Sequence, residues 1–155
     1  MSADLLAVCS LLSDYGFYAD GGKYDEWLGL FAKDCSYHVV PKENVDRDLP
    51  AALIYCDTRG MLEDRIQSLR VVSKYNIHTD RHIIGIPRIT TIGPDALLAE
   101  APFSVYQTEQ EGETRLFATG LYRDRLHRNG KGLRISQKMV VLDTFAVPSL
   151  LATPL

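Results

Sequence analysis

From Asp4 to Ala19 the apolar residues Leu5, Val8, Leu11, Leu12, Tyr15 and Tyr18 recur at spacings of three and four, the stripe of an amphipathic helix. Asp20-Gly21-Gly22 should end it, because glycine accepts the positive φ that a helix C-terminal turn asks for. Tyr24, Trp27, Leu28 and Phe31 then share one face of a second, short helix, with Asp25 and Glu26 favourably placed in its first turn. The two helices are expected to form a hairpin with an aromatic seam. Cys35–Val40 is β-branched and aromatic and reads as a strand ending at Pro41, the polar segment Lys42–Pro50 as a surface loop, and Ala51–Cys56 as a second strand. Asp57 or Thr58 can cap a helix from about Gly60 to Val72, in which Met61, Leu62, Ile66 and Leu69 alternate with charged residues.

The second half changes period. His82–Ile92, Ala96–Gln107, Thr114–His127 and Leu133–Phe145 have strand composition and are separated by Gly93-Pro94-Asp95, Glu111-Gly112 and Asn129-Gly130, the last a strong hairpin signal. In the last strand, strict alternation puts Leu133, Ile135, Gln137, Met139 and Val141 on one face and Arg134, Ser136, Lys138 and Val140 on the other. Helices first and an antiparallel meander afterwards is an α+β layout, best satisfied by a cone-shaped curved antiparallel sheet with the N-terminal helices packed in its concave face. Residues 1–155 are read as one domain, with helices at about 4–33 and 59–72 and the sheet mainly at 82–146.

Composition narrows the function. The chain has 155 residues, 46% hydrophobic and 24% charged, as in an ordinary globular domain. A net charge of −3 gives no positive field for a polyanion, so no nucleic-acid partner is expected. The most apolar stretches, Leu97–Val105 and Met139–Val147, are interrupted by Glu100 and Asp143, so no membrane span is expected either. The N-terminal sequence has no basic region ahead of an apolar run, which predicts a cytoplasmic protein. Cys9, Cys35 and Cys56 match neither a disulfide framework nor a zinc pattern and are expected to be reduced thiols.

The densest polar cluster is His78-Thr79-Asp80-Arg81-His82. On a helix its two histidines would share a side, but the following Ile83-Ile84 looks like strand, and there residues four apart stand roughly 13 Å apart, too far for one ion. A polar loop entering a strand is the simpler reading. Curved α+β cones often enclose a pocket worked by acid and base side chains, and Tyr18, His38, Asp57 and His82 are the plausible liners here. Against that, Tyr18 can pack in the helix seam, His38 can point outward, Asp57 can cap a helix and His82 can simply start a strand. No nucleophile elbow or phosphate loop occurs, and the run Arg123, Arg125, His127, Arg128 is interrupted by Asp124 and reads as a solvated or subunit-facing hairpin.

Several segments in order carry a resemblance: Leu11-Leu12-Ser13-Asp14-Tyr15; Trp27-Leu28 through Phe31-Ala32-Lys33-Asp34-Cys35-Ser36-Tyr37; Asp57-Thr58-Arg59-Gly60-Met61-Leu62-Glu63-Asp64-Arg65; Arg81-His82-Ile83-Ile84-Gly85-Ile86-Pro87-Arg88-Ile89; and Gly120-Leu121-Tyr122-Arg123-Asp124 through Lys138-Met139-Val140-Val141-Leu142-Asp143. Together they resemble the small, or beta, subunit of aromatic-ring-hydroxylating dioxygenases. The resemblance implies a cone fold like that of nuclear transport factor 2, and a structural role without catalytic residues in this chain. It further implies a partner alpha subunit carrying a Rieske two-iron two-sulfur cluster and a mononuclear Fe(II), in a hexamer of three alpha and three beta chains with beta–beta contacts in a trimer. Electrons from NAD(P)H would arrive through separate components. No cofactor or metal is expected in this chain: a Rieske centre needs two Cys and two His, a non-haem iron two His and a carboxylate, and three scattered Cys with four His cannot supply both. Arg123, Arg125, Arg134 and Lys138, on exposed strand faces, are the candidates for subunit contacts. The segments 57–65 and 81–89 look like those of small subunits acting with aromatic carboxylates such as salicylate, anthranilate or terephthalate. The competing expectation is a stand-alone dehydratase, isomerase or hydrolase of the same fold, which would show an Asp–His pair beside a ligand-sized pocket.

Overall fold

The computed structural model describes residues 2–72, 77–144 and 154–155. Ser2 caps the first helix, α1 (Ala3–Asp20), its Oγ accepting the Leu5 N–H at 3.2 Å, and Gly22 takes a φ of +65° just beyond the helix end. The second helix, α2 (Tyr24–Leu28), is shorter than the apolar spacing predicts. It stops at Gly29, and Phe31 opens a strand, although its ring still lies 4.7 Å from that of Trp27. The strand β1 (Phe31–Pro41) leads into a one-turn helix, α3 (Lys42–Asp46), where the polar composition predicts a loop. Pro41 supplies its extended N-cap backbone, and Asn44 Nδ2 ties it to the Ala51 carbonyl at 2.8 Å. The next strand, β2, is only Ile54–Cys56, and α4 covers Arg59–Val72. Of the two possible caps, Thr58 makes the bond: its Oγ1 accepts the Met61 N–H at 3.2 Å.

The segment expected as one strand, His82–Ile92, is two: β3 (His78–Ile84) and β4 (Arg88–Gly93). Strand structure begins at His78, so the polar cluster is not a loop. The break falls at Gly85-Ile86-Pro87. There the Gly85 N–H donates to the Pro102 carbonyl at 2.8 Å, and a Cβ on Gly85 would come within 2.7 Å of the Pro102 ring. The strands β5 (Ala96–Glu109), β6 (Thr114–Asn129) and β7 (Gly132–Leu142) follow. The early residues of β5 pair with β4 and the later ones with β3, so two strands share one edge of a long bent neighbour. The predicted end of the last strand, Phe145, lies outside the described residues.

The sheet runs β2-β1-β7-β6-β5-β3, with β4 alongside β5. All its pairs are antiparallel except β1 with β7, which is parallel, so the sheet is mixed rather than purely antiparallel. The first strand, β1, thus lies beside the last, β7, in the same direction, and β2 forms the edge beyond it. Bulges bend the long strands. One lies on β7, where Ser136 is inserted opposite the Arg125–Leu126 step of β6, and it reverses the alternation there. Leu133 and Ile135 face inward before it, and Lys138, Val140 and Leu142 after it.

Helix α1 lies in the concave face. Tyr15 meets Trp27 at 5.4 Å, Tyr122 at 5.6 Å and His82 at 6.2 Å between ring centres, and Val8, Leu12 and Ala19 are buried beside it. Where β6 crosses β7, Gly120 allows the backbones to touch: a Cβ there would sit 2.0 Å from the Val141 carbonyl oxygen. Gly120→Ala is therefore expected to cost about 3 kcal/mol or more, since only backbone movement relieves the clash. Thermal unfolding of the purified variant checks this, and a midpoint equal to wild type would refute the packing described.

Candidate functional site

Five elements send polar side chains into the cone. Lys138 on β7 and Asp124 on β6 are both essentially inaccessible, with Nζ 2.9 Å from Oδ2. The ammonium is also caged by aromatic faces, 3.6 Å from the Tyr122 ring centre and 4.0 Å from that of Tyr15, while Phe103 stacks on Tyr122 at 4.1 Å. Burial pushes the Asp124 carboxyl up and the Lys138 ammonium down, and their mutual attraction opposes both shifts.

Below this pair, Leu155 enters the core. The Tyr15 hydroxyl donates to its carbonyl oxygen, the Tyr37 hydroxyl donates to the same oxygen at 3.2 Å, and the Leu155 N–H donates to Tyr37 Oη at 3.0 Å. Burial drives the Tyr37 phenol up to about 12 and those of Tyr15 and Tyr122 well above their ordinary value. All three phenols are thus neutral at physiological pH; those of Tyr15 and Tyr37 serve as hydrogen-bonding groups, while Tyr122 Oη has no partner among the described residues. The centre of the cone is filled by the protein's own side chains and Leu155.

At the open end of α1, Asp20 holds His82. Its Oδ2 accepts the His82 backbone N–H at 2.9 Å, and its Oδ1 lies 2.6 Å from Nδ1. A carboxylate has no proton to give, so Nδ1 carries the hydrogen. The imidazole is 1% exposed, and its Nε2 has no hydrogen-bond partner among the described residues. Asp20 and His82 form part of the wall of a cavity of about 320 Å³ between α1 and the β3–β4 connection.

The structure does not bring the four sequence-derived liners together. Tyr18 is half-buried on α1 and packs against the core. His38 stacks on Tyr55 at 4.4 Å beside the β1–β2 pair, and its Nε2 is 3.6 Å from the exposed Asp57, beyond hydrogen-bond range. Of the four, His82 lines the cavity of about 320 Å³, and its partner Asp20 was legible in the sequence merely as a helix stop. Among the subunit-contact candidates Lys138 is the correction: the bulge at Ser136 turns it inward, so it presents nothing to another chain. Arg123 pairs across strands with Glu100 at 3.3 Å, Arg125 is exposed, and the half-buried Arg134 donates to the Leu133 carbonyl at 2.8 Å. Tyr15, Asp124 and Lys138 were missed as a unit because nothing in their spacing announces that two helical turns and two strands will converge. The one available signal was a lysine and an aspartate at mutually facing positions of a predicted hairpin.

A family model for the ring hydroxylating beta subunit matches residues 18–149. The chain belongs to the ring hydroxylating beta subunit family. It is 37% identical over 145 residues to the anthranilate 1,2-dioxygenase small subunit of Burkholderia cepacia, covering 94% of this chain and 90% of that one. It is 33% identical over 150 residues to subunit beta 2 of the terminal oxygenase component of terephthalate 1,2-dioxygenase from a Comamonas species, covering 97% of each. Its backbone matches a crystal structure assigned to the beta subunit of an aromatic-ring-hydroxylating dioxygenase from Novosphingobium aromaticivorans, with a TM-score of 0.88 and 41% identity over 98% of this chain and 97% of that one. The caged ion pair joins β6 to β7 under the Tyr15 ring of α1. Lys138→Met should cost about 3–5 kcal/mol by stranding a buried carboxylate, and adding Asp124→Leu should restore much of the loss. Because burial already raises Asp124, the single variant's deficit should shrink as pH falls and that carboxyl takes up a proton. Denaturant melts at pH 5 and pH 8 test both points.

Proposed function

We propose that this chain is the non-catalytic beta subunit of a multicomponent aromatic-ring-hydroxylating oxygenase, working in the cytoplasm as the scaffold on which an alpha subunit assembles. The observation that carries the reading is likeness along nearly the whole chain to small subunits of dioxygenases, in sequence and in backbone. The partner is a Rieske-type alpha chain with a two-iron two-sulfur cluster and a mononuclear Fe(II). The assembly is three alpha and three beta chains, with the beta chains in contact as a trimer and NAD(P)H electrons delivered by separate components. Anthranilate and terephthalate, the compounds named for two relatives, are both aromatic carboxylates, and that substrate class is our assignment for the complex.

The metal-binding side chains of this chain do not fit either iron centre. Burial raises the thiols of Cys35 and Cys56, which disfavours the thiolate that an iron–sulfur cluster needs. His82 is committed to Asp20 and His38 to Tyr55, and among the described residues no three His, Cys, Asp or Glu side chains are grouped to hold a metal. The redox chemistry is therefore assigned to the partner. The Asp20–His82 pair beside a cavity is what the stand-alone enzyme reading would require. Full-length likeness to dioxygenase small subunits outweighs it.

Co-expression with a Rieske-type alpha chain should yield a stable complex that holds iron and hydroxylates a benzoate-type acid. The chain expressed alone should hold no stoichiometric iron and form no product; product from the isolated chain would overturn the assignment. Arg125→Glu with Arg134→Glu should reduce the sedimentation coefficient of the complex by disrupting charge pairing at the docking surface. Unchanged sedimentation would remove these two residues from it.

A further inference from the structure

Pro154 and Leu155 are held as a ligand is held. They belong to no helix or strand, yet both are buried, and Leu155 has no exposure at all. Buried backbone groups mostly pair with other backbone groups. Here the N–H and the carbonyl of Leu155 are both met by side chains. The N–H donates to Tyr37 Oη at 3.0 Å, and the carbonyl oxygen accepts from the Tyr37 hydroxyl at 3.2 Å and from the Tyr15 hydroxyl. Tyr15 on α1 and Tyr37 on β1 are fixed by other contacts: Tyr15 packs against Trp27, His82 and Tyr122, and Tyr37 against Trp27 and Phe31. The receiving half of the contact is therefore built from elements that have their own anchors. The same wall also holds unused capacity. Trp27 and Tyr122 are fully buried against the Tyr15 ring, and neither Trp27 Nε1 nor Tyr122 Oη has a hydrogen-bond partner among the described residues. Native interiors leave few such groups unpaired, so the cage offers more hydrogen bonds than Leu155 takes up.

We infer that the centre of the cone is a latent binding site for a small branched aliphatic amide of the N-acyl-leucine type, and that Pro154-Leu155 is its intramolecular occupant. The hydroxyl pair reads a carbonyl and the N–H beside it, and the buried apolar cluster takes the branched side chain. The ammonium of the cage, Lys138, is committed to Asp124, so a neutral amide suits the site better than a free acid. An occupant on the same chain competes at an effective concentration of roughly a millimolar, so a free ligand gains the site only where Leu155 is displaced.

The test uses the full chain carrying Leu155→Asp. An unpaired carboxylate is far costlier in an apolar cage than in water, so this substitution empties the site without shortening the chain. The probe is N-acetyl-prolyl-leucinamide, followed by the fluorescence of Trp27, the single tryptophan of the sequence. Saturable binding to Leu155→Asp with a rise in its melting temperature is the expected result, with binding to the wild-type chain at least tenfold weaker. Adding Tyr37→Phe to Leu155→Asp should weaken the peptide about tenfold, the worth of a buried hydrogen bond. N-acetyl-prolyl-alaninamide, which lacks the branched side chain, should also bind at least tenfold more weakly. If Leu155→Asp does not fold, Leu155→Ala removes only apolar atoms and takes the same titrations. Equal binding of the two peptides would overturn the proposal. A destabilised variant that binds neither peptide would do the same, leaving Leu155 as ordinary core packing, and so would a melting temperature that neither substitution changes, since residue 155 would then not be held in the cage.

Discussion

A lysine with no access to water, held against one aspartate and two tyrosine rings, is the contact around which this molecule is arranged. Taking an ammonium and a carboxylate out of water costs several kcal/mol each after relaxation, and only close pairing with further favourable contacts offsets that. Here the further contacts are the faces of Tyr15 and Tyr122, whose negative quadrupoles are worth on the order of 2 kcal/mol to a desolvated cation. The four groups come from three elements: Tyr15 from α1, Tyr122 and Asp124 from β6, Lys138 from β7. The cost is met only when helix and both strands are in one register, so the pair specifies an arrangement more than it adds stability. The bulge at Ser136 belongs to the same constraint, because without it Lys138 would point to the outside of the sheet.

The remainder of the interior follows from that placement. Once Tyr15 is fixed over Lys138, its hydroxyl and that of Tyr37 converge, and the space between them takes the backbone of Leu155. In a cone-shaped fold this central volume is the natural place for a ligand. Here it is occupied by groups that the chain supplies itself, with tyrosines whose burial keeps them neutral. A filled centre with an ion pair at its heart is consistent with a protein whose work is done on its surfaces, in keeping with its family.

Elements with a clean period were readable from the sequence, and those set by long-range contacts were not. The helix α1, the helix α4 and the hairpin at Asn129-Gly130 each have local signals that tertiary packing has no reason to override: caps, a 3.6 period, a turn dipeptide. The second helix was read too long because Phe31 satisfies the helical spacing, yet Gly29 ends the helix and the ring reaches the same seam from a strand. The long run from His82 to Ile92 was read as continuous because its composition is β throughout. Its break depends on a hydrogen bond from Gly85 to Pro102, a residue of another strand. Lys138 was assigned to the wrong face for the same kind of reason: a bulge adds one residue, and with a period of two that reverses every position after it. His82 was named from its type, whereas Asp20 lies 62 positions away and no local pattern links them.

The Asp20–His82 pair shows why an Asp–His hydrogen bond is weak evidence for catalysis on its own. In this chain both carboxylate oxygens are used by one residue, one on its backbone and one on its ring, so the pair works first as a pin that fastens the end of α1 to β3. A fastening of that kind also fixes the ring in one tautomer and orientation, which is what a binding group needs. The atoms that hold the helix leave Nε2 without a partner among the described residues, and the cavity beside the pair lies where the strand breaks at Gly85. The same break that defeated the sequence reading opens the cavity of about 320 Å³ beside this pair.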